Sequence, residues 1–340
     1  MRNSNSYDFI RRNLQKQAAP SMRYSGNENL AEWQKRANAK LWDLLGLSRM
    51  QKCEEDFFIE REEQKEGYRE VHFSFQSEEG YYVPCCALLP ENMKCSQKTA
   101  ICIQGHSTGM HISYGVPKFE GDVQRLSEGD RDFAIRALQE GYAAVCIEQR
   151  YMGRCGQTSQ GTPSCLVQGT ALPSLLIGRT AIGERVWDVM RLIDVIEKHF
   201  PMLDKEHIVC LGNSGGGTTT FYAACLDKRI RCAVPSCSVC TFKDSIGAMQ
   251  HCSCNYIPDI ANYFDMGDLG GLIAPRALVI VNGRNDEIFP DSGVREAYGI
   301  IQEVYRAMGV SNRCRMVTGE GGHRFYADIA WKEIHDLMNE

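Results

Sequence analysis

The chain has 340 residues, 43% apolar and 24% charged, with a net charge of −5 and an isoelectric point near 6. That length suits one large α/β domain with an appendage, or two ordinary domains, and buries roughly 75% of its unfolded surface without covalent staples. The acidic balance offers no footprint for nucleic acid or an anionic membrane.

No stretch reaches the roughly 20 apolar residues of a membrane span. The opening MRNSNSYDFIRRNLQKQ lacks the apolar run of a secretory signal, so a cytoplasmic protein is expected. Sixteen cysteines are many. Yet they recur inside strand-like runs (CCALL, AICIQ, AAVCIE, HIVCL), where a free thiol packs as a small hydrophobe. A reducing compartment without structural disulfides is the expectation.

In chain order, residues 1–68 read as a helical N-terminal extension. Helical patterns around 7–17 and 29–45 are split by the linker AAPSMRYSGNE, and CEEDFFIEREEQKEG reads as a solvated, charge-dense face. Residues 69–340 read as the second unit. REVHFSFQ alternates as a strand, and YYVPCCALLP follows as another, with Gly80 at the turn. From Lys98 onward, β-rich runs alternate with helices near 130–140, 181–199, 216–226, 293–308 and 326–338.

Alternation of this kind predicts an α/β fold, a mostly parallel sheet with helices on both faces. Val186, Val189 or Met190, Ile193 and Ile196 recur at helical spacing and place one apolar stripe on that sheet. The alternation is interrupted at about 107–128 and 152–176. Both interruptions start past a strand's C-terminal end, where open α/β sheets bind ligands.

The stretch CLGNSGGG places Ser214 between a strand and a helix, with Gly212 and Gly216 completing G-x-S-x-G. A serine at such a corner adopts a strained backbone to project its hydroxyl, and neighbours without Cβ relieve the crowding. No lysine follows the glycines, and the dinucleotide pattern G-x-G-x-x-G is not matched, so a nucleotide site is not expected. A serine nucleophile needs a base, and the base needs a carboxylate that fixes its tautomer.

In the order Ser, acid, His, the chain supplies Asp286 in NGRNDEIFP and His323 in EGGHRFY, each after a strand. Glu287 and Glu320 are the neighbouring alternatives for the acid. The N–H groups of Gly215 and His106 (in IQGHSTG) are the candidate oxyanion donors. Cys237, Cys240, His251, Cys252 and Cys254 show zinc-like spacing. In a chain this rich in cysteine such spacing arises easily, so no metal and no cofactor are assigned.

From about Arg69 onward the chain resembles the α/β-hydrolase superfamily, on GNSGGG, NGRNDEIFP and GGHRFY. More narrowly it looks like the dienelactone-hydrolase-related, acetyl-xylan-esterase-like branch, on IQGHSTG, IGRTAIGERVWDVMRLIDVI, HCSCNYIPDI and FDMGDLGGLIAPRAL. Two departures stand out: Gln104 replaces the usual histidine before the oxyanion glycine, and the nucleophile is serine where dienelactone hydrolases proper use cysteine.

The resemblance implies a serine esterase cleaving small acyl, foremost acetyl, esters of small molecules or carbohydrates. Tyr114, Arg150, Tyr151, Trp187 and His251 are the expected substrate contacts. A prolyl-oligopeptidase-like peptidase or a non-catalytic binding protein on the same scaffold are the rivals. The sequence assigns no oligomeric state.

Overall fold

The computed structural model describes residues 5–93, 96–156 and 170–339; the later part of the second predicted interruption lies outside them. Nine strands form one sheet: β1 (Phe58–Lys65), β2 (Tyr68–Glu78), β3 (Tyr81–Pro90), β4 (Gln97–Ile103), β5 (Ala143–Ile147), β6 (Leu203–Asn213), β7 (Ile230–Ser236), β8 (Ala277–Gly283) and β9 (Cys314–Gly319). Their spatial order is β1-β2-β3-β5-β4-β6-β7-β8-β9. The first three strands and β5 pair antiparallel, and from β5 to β9 every pairing is parallel.

Parallel strands need crossover helices on their faces, and both faces are then buried. The residues of β5 and β8 are accordingly buried without alternation. The helices are α1 (Ser6–Gln17), α2 (Leu30–Leu44), α3 (Asp122–Gly129), α4 (Phe133–Gln139), α5 (Ala181–His199), α6 (Gly215–Leu226), α7 (Met266–Gly270), α8 (Asp291–Ala307) and α9 (Ala327–Asn339). One face of the sheet packs Val186, Ile193, Phe221 and Ile301. The other packs Phe133, Phe325, Trp331 and Ile334. This is the expected α/β-hydrolase architecture.

Three features refine the sequence reading. The charge-dense run is an edge strand: β1 is exposed along nearly its whole length, and its charged side chains discourage edge-to-edge pairing. Helix α2 buries Trp33, Ala37 and Leu41 in the same core as α5 and the sheet. Helix α3 lies inside the first interruption, too short for a periodic signal. It is anchored by the buried Asp122 carboxylate, which accepts the amides of Lys118 and Phe119 at 3.0 and 2.9 Å.

The described cysteines are free thiols, most of them buried and half of them in the strands. No helix among the described residues is long and apolar enough to cross a membrane.

Candidate active site

Strand β6 ends at Asn213 and α6 begins at Gly215, so Ser214 carries the whole corner, with φ 56° and ψ −125°. A positive φ at a residue with a Cβ costs on the order of 1–3 kcal/mol and persists only where the surroundings enforce it. They do so here. The Ser214 amide donates to the Ser236 carbonyl at 2.8 Å, and a Cβ on Gly216 would lie 2.1 Å from the Ile103 carbonyl oxygen. The elbow is therefore clamped between β4 and β7. The Ser214 hydroxyl caps none of its own helix's amides, which leaves it available for chemistry.

Beyond β8 lies Asp286, 3% exposed, and beyond β9 lies His323. Asp286 Oδ2 sits 2.8 Å from His323 Nδ1, while Oδ1 accepts the amides of Ile288 and Phe289 at 2.8 and 3.1 Å. Burial alone would raise the Asp286 carboxyl. The bond from His323, the imidazole's charge and those two amides outweigh it and hold the group below the usual range. Asp286 is thus a carboxylate at neutral pH, able to hold His323 with Nδ1 protonated and Nε2 free.

Glu287 is exposed, and Glu320 is spent on Arg284 at 2.9 Å. Neither alternative acid has that geometry. The His323 loop is tied to the elbow through Ser236: its hydroxyl donates to Asn213 Oδ1 at 2.8 Å and lies 3.5 Å from the Arg324 carbonyl.

Gly215, as the first residue of α6, offers one of the amides that a helix N-terminus leaves unsatisfied. The His106 ring lies directly over it, and a Cβ there would meet His106 Cε1 and Nδ1 at 2.8 Å. Gly105 packs as closely on the elbow, within 3.0 Å of Ser214 Cβ by the same measure. The Gly105–His106 turn is therefore held alongside Ser214.

Gln149 locks this arrangement: its Nε2 donates to the Gln104 carbonyl, and its Oε1 accepts Thr219 Oγ1 of α6 at 2.6 Å. Gln149 carries no sequence signal beyond its place just past β5. Gln104, at the position where the resemblance places a histidine, donates to Ser113 Oγ and the Arg131 carbonyl at 2.8 and 2.6 Å.

His251 is held against the same site. Burial first, then the charges of His106 and His323, push it down to about 4. It is a neutral imidazole at neutral pH, its Nε2 3.2 Å from Ser245 Oγ. Phe289 stacks 5.9 Å from the His323 ring and meets His251 edge-on at 5.4 Å.

The other expected substrate contacts divide. Tyr151 stays near the site, in a small cluster with Cys252 and Cys254, its hydroxyl bonded to Ser174 and Glu184. Three others have partners elsewhere in the structure. Arg150 is a buried ion-pair partner of Asp188 and Glu78, at 2.8 and 2.7 Å. Trp187 donates to the Ser77 carbonyl from within the core. Tyr114 meets His72 edge-on and lines a separate cavity with Arg61, Lys65 and Glu70. All three are buried, and Arg150 and Trp187 have their polar groups engaged by these partners.

The cysteine spacing also resolves differently from its appearance. Cys237 falls beside Asp286 and His323, whereas Cys252 and Cys254 fall beside His106. Cys240 lies against the Pro290 carbonyl.

Glu148, next to Gln149, has both carboxylate oxygens on loop amides, those of Met110 and Arg154 at 3.0 and 3.3 Å. Burial pushes it up from 4.5 to about 7. Because the folded value lies above the unfolded one, its contribution to stability is full below about pH 4.5 and is lost as pH rises through 7. The span corresponds to about 3 kcal/mol. Glu148→Gln, the neutral isostere, is expected to flatten the loss of thermal stability between pH 5 and 8. Thermal unfolding of both proteins across that range checks it.

The arrangement is a strained serine corner between a strand and a helix, with an Asp–His pair beyond the following strand ends. The chain belongs to the Abhydrolase family, whose model matches residues 2–308. A Bacillus subtilis protein named "Putative hydrolase YtaP" is 28% identical over 167 residues, which cover 48% of this chain and 56% of that protein. The match thus spans little more than half of the curated relative.

Among solved structures, a Bacteroides fragilis "putative acetyl xylan esterase" superposes with a TM-score of 0.79 at 18% identity, covering 94% of this chain and 83% of the other. A glucuronoyl esterase from Solibacter usitatus gives 0.70 at 14% identity, covering 94% and 96%. These likenesses establish a common fold.

Proposed function

We propose that the protein is a serine carboxylester hydrolase acting on small acyl, foremost acetyl, esters of carbohydrates. The observation that carries this reading is the strained Ser214 corner together with the 2.8 Å His323–Asp286 pair. Ser214 Oγ attacks the ester carbonyl while His323 Nε2 takes its proton. The amides of Gly215 and His106 hold the oxyanion, each such donor contributing roughly 10²–10³ in rate.

His323 then returns the proton to the leaving alcohol, and a water activated by the same imidazole frees the acyl group. Asp286 steadies the imidazolium in both halves. His251, Tyr151 and Phe289 border the site. The names of the structural neighbours support a carbohydrate ester as substrate, and the buried free thiols support a reducing, cytoplasmic setting.

The test is release of acetate from acetylated xylo-oligosaccharides, alongside p-nitrophenyl acetate, p-nitrophenyl butyrate and a peptide p-nitroanilide. Acetyl esters are expected to be cleaved, with kcat/KM for acetate exceeding butyrate by roughly tenfold or more. Preferred turnover of the anilide would point to the peptidase, and no turnover at all to a binding protein.

A further inference from the structure

His106 reaches across Gly215 to a pair of cysteines on a different loop. Its Nε2 lies 3.2 Å from Cys254 Sγ, and the donor atoms of His106, Cys252 and Cys254 all fall within 4.8 Å of one another. The imidazole comes from the turn after β4. The two thiols flank Ser253 at a short helical turn, Ser253–Asn255, on the long segment between β7 and α7. We infer that these three side chains form a binding site for a thiophilic divalent cation of the zinc class.

The spacing suits the metal. Bond lengths of about 2.3 Å to sulfur and 2.1 Å to nitrogen in a tetrahedral shell put donor atoms about 3.6–3.8 Å apart, so shifts of a few tenths of an ångström to one ångström close the shell. A contact between one imidazole and one thiol needs a single cysteine. A second thiol within reach of both atoms is what a cation requires. One nitrogen and two sulfurs are a soft donor set, which selects zinc and cadmium over magnesium or calcium.

The surroundings are also suited. Cys254 is buried beside Met152, Ala171 and Ala181, which form an apolar wall, while Cys252 is only partly buried and leaves an approach. The absence of a side chain at Gly215 is what lets the His106 ring lie in reach.

Binding displaces the two thiol protons to solvent, and three protein donors leave the fourth position to water. The bound ion fastens the β7–α7 segment to the turn that faces Ser214. The site itself does not depend on the esterase reading, because its donors and its assay involve no ester.

The test is a titration of the reduced full-length protein with Cd²⁺, then Zn²⁺ against a chromophoric chelator, reading the ultraviolet thiolate-to-cadmium band and the stoichiometry. Wild type is expected to bind one equivalent with the band of two thiolates. Cys252→Ser, at the partly exposed position where folding is least at risk, should halve the band and weaken binding roughly tenfold or more. His106→Ala should weaken binding while keeping the band. Cys237→Ser, which alters the cysteine beside Asp286 and His323, should leave both unchanged. A wild type without the band, or a band that survives Cys252→Ser and Cys254→Ser intact, or one abolished by Cys237→Ser, would overturn the assignment.

Discussion

Ser214→Ala is expected to lower kcat for p-nitrophenyl acetate by roughly 10⁴-fold or more while the protein stays folded. The hydroxyl caps no amide of α6, so its loss leaves the helix start intact. The strain at φ 56° is enforced by the Ser214 amide on Ser236 and the close passage of Gly216 under Ile103; alanine inherits both. Removing one oxygen therefore separates the chemical role from the structural one. Comparison of ester turnover with thermal unfolding of the same samples checks it, and activity near wild type in a folded variant would dismiss Ser214 as nucleophile.

Asp286→Asn should cost about as much, roughly 10⁴-fold in kcat at neutral pH, for a different reason. Asparagine keeps an oxygen for the amides of Ile288 and Phe289, so the loop after β8 keeps its shape. Its NH₂ group then faces His323 Nδ1 and favours the tautomer whose Nε2 carries the proton, which cannot accept one from Ser214. An acid that merely anchored the loop would tolerate this change. Steady-state kinetics on p-nitrophenyl acetate, with unfolding midpoints measured in parallel, distinguish the two roles.

What could be read from the chain depended on how local its cause was. Helix α5 announced itself by its stripe of Val186, Val189, Ile193 and Ile196, and the parallel strands by unbroken apolar runs. The places of Ser214, Asp286 and His323 just past β6, β8 and β9 were legible from the apolar runs and glycine-rich turns that bracket them.

Features set by tertiary partners left no such trace. Nothing around Trp187 or Arg150 indicates that the one turns to the Ser77 carbonyl and the other to Asp188 and Glu78. Glu148 and Gln149 look like an ordinary strand end until two loops and a helix fold onto them. The cysteine spacing suggested one cluster, but β7 and the segment after it carry its members to different neighbours, and the histidine beside Cys254 proves to be His106, 148 positions away.

Covalent trapping tests most directly whether Ser214 is an activated nucleophile. Incubation with a fluorophosphonate, followed by intact-mass and peptide mass spectrometry, should show one adduct per chain, on Ser214. Labelling should slow sharply in Asp286→Asn, since the reagent reads the same activation that ester cleavage requires. An unlabelled wild type, or an adduct on any other residue, would contradict the account.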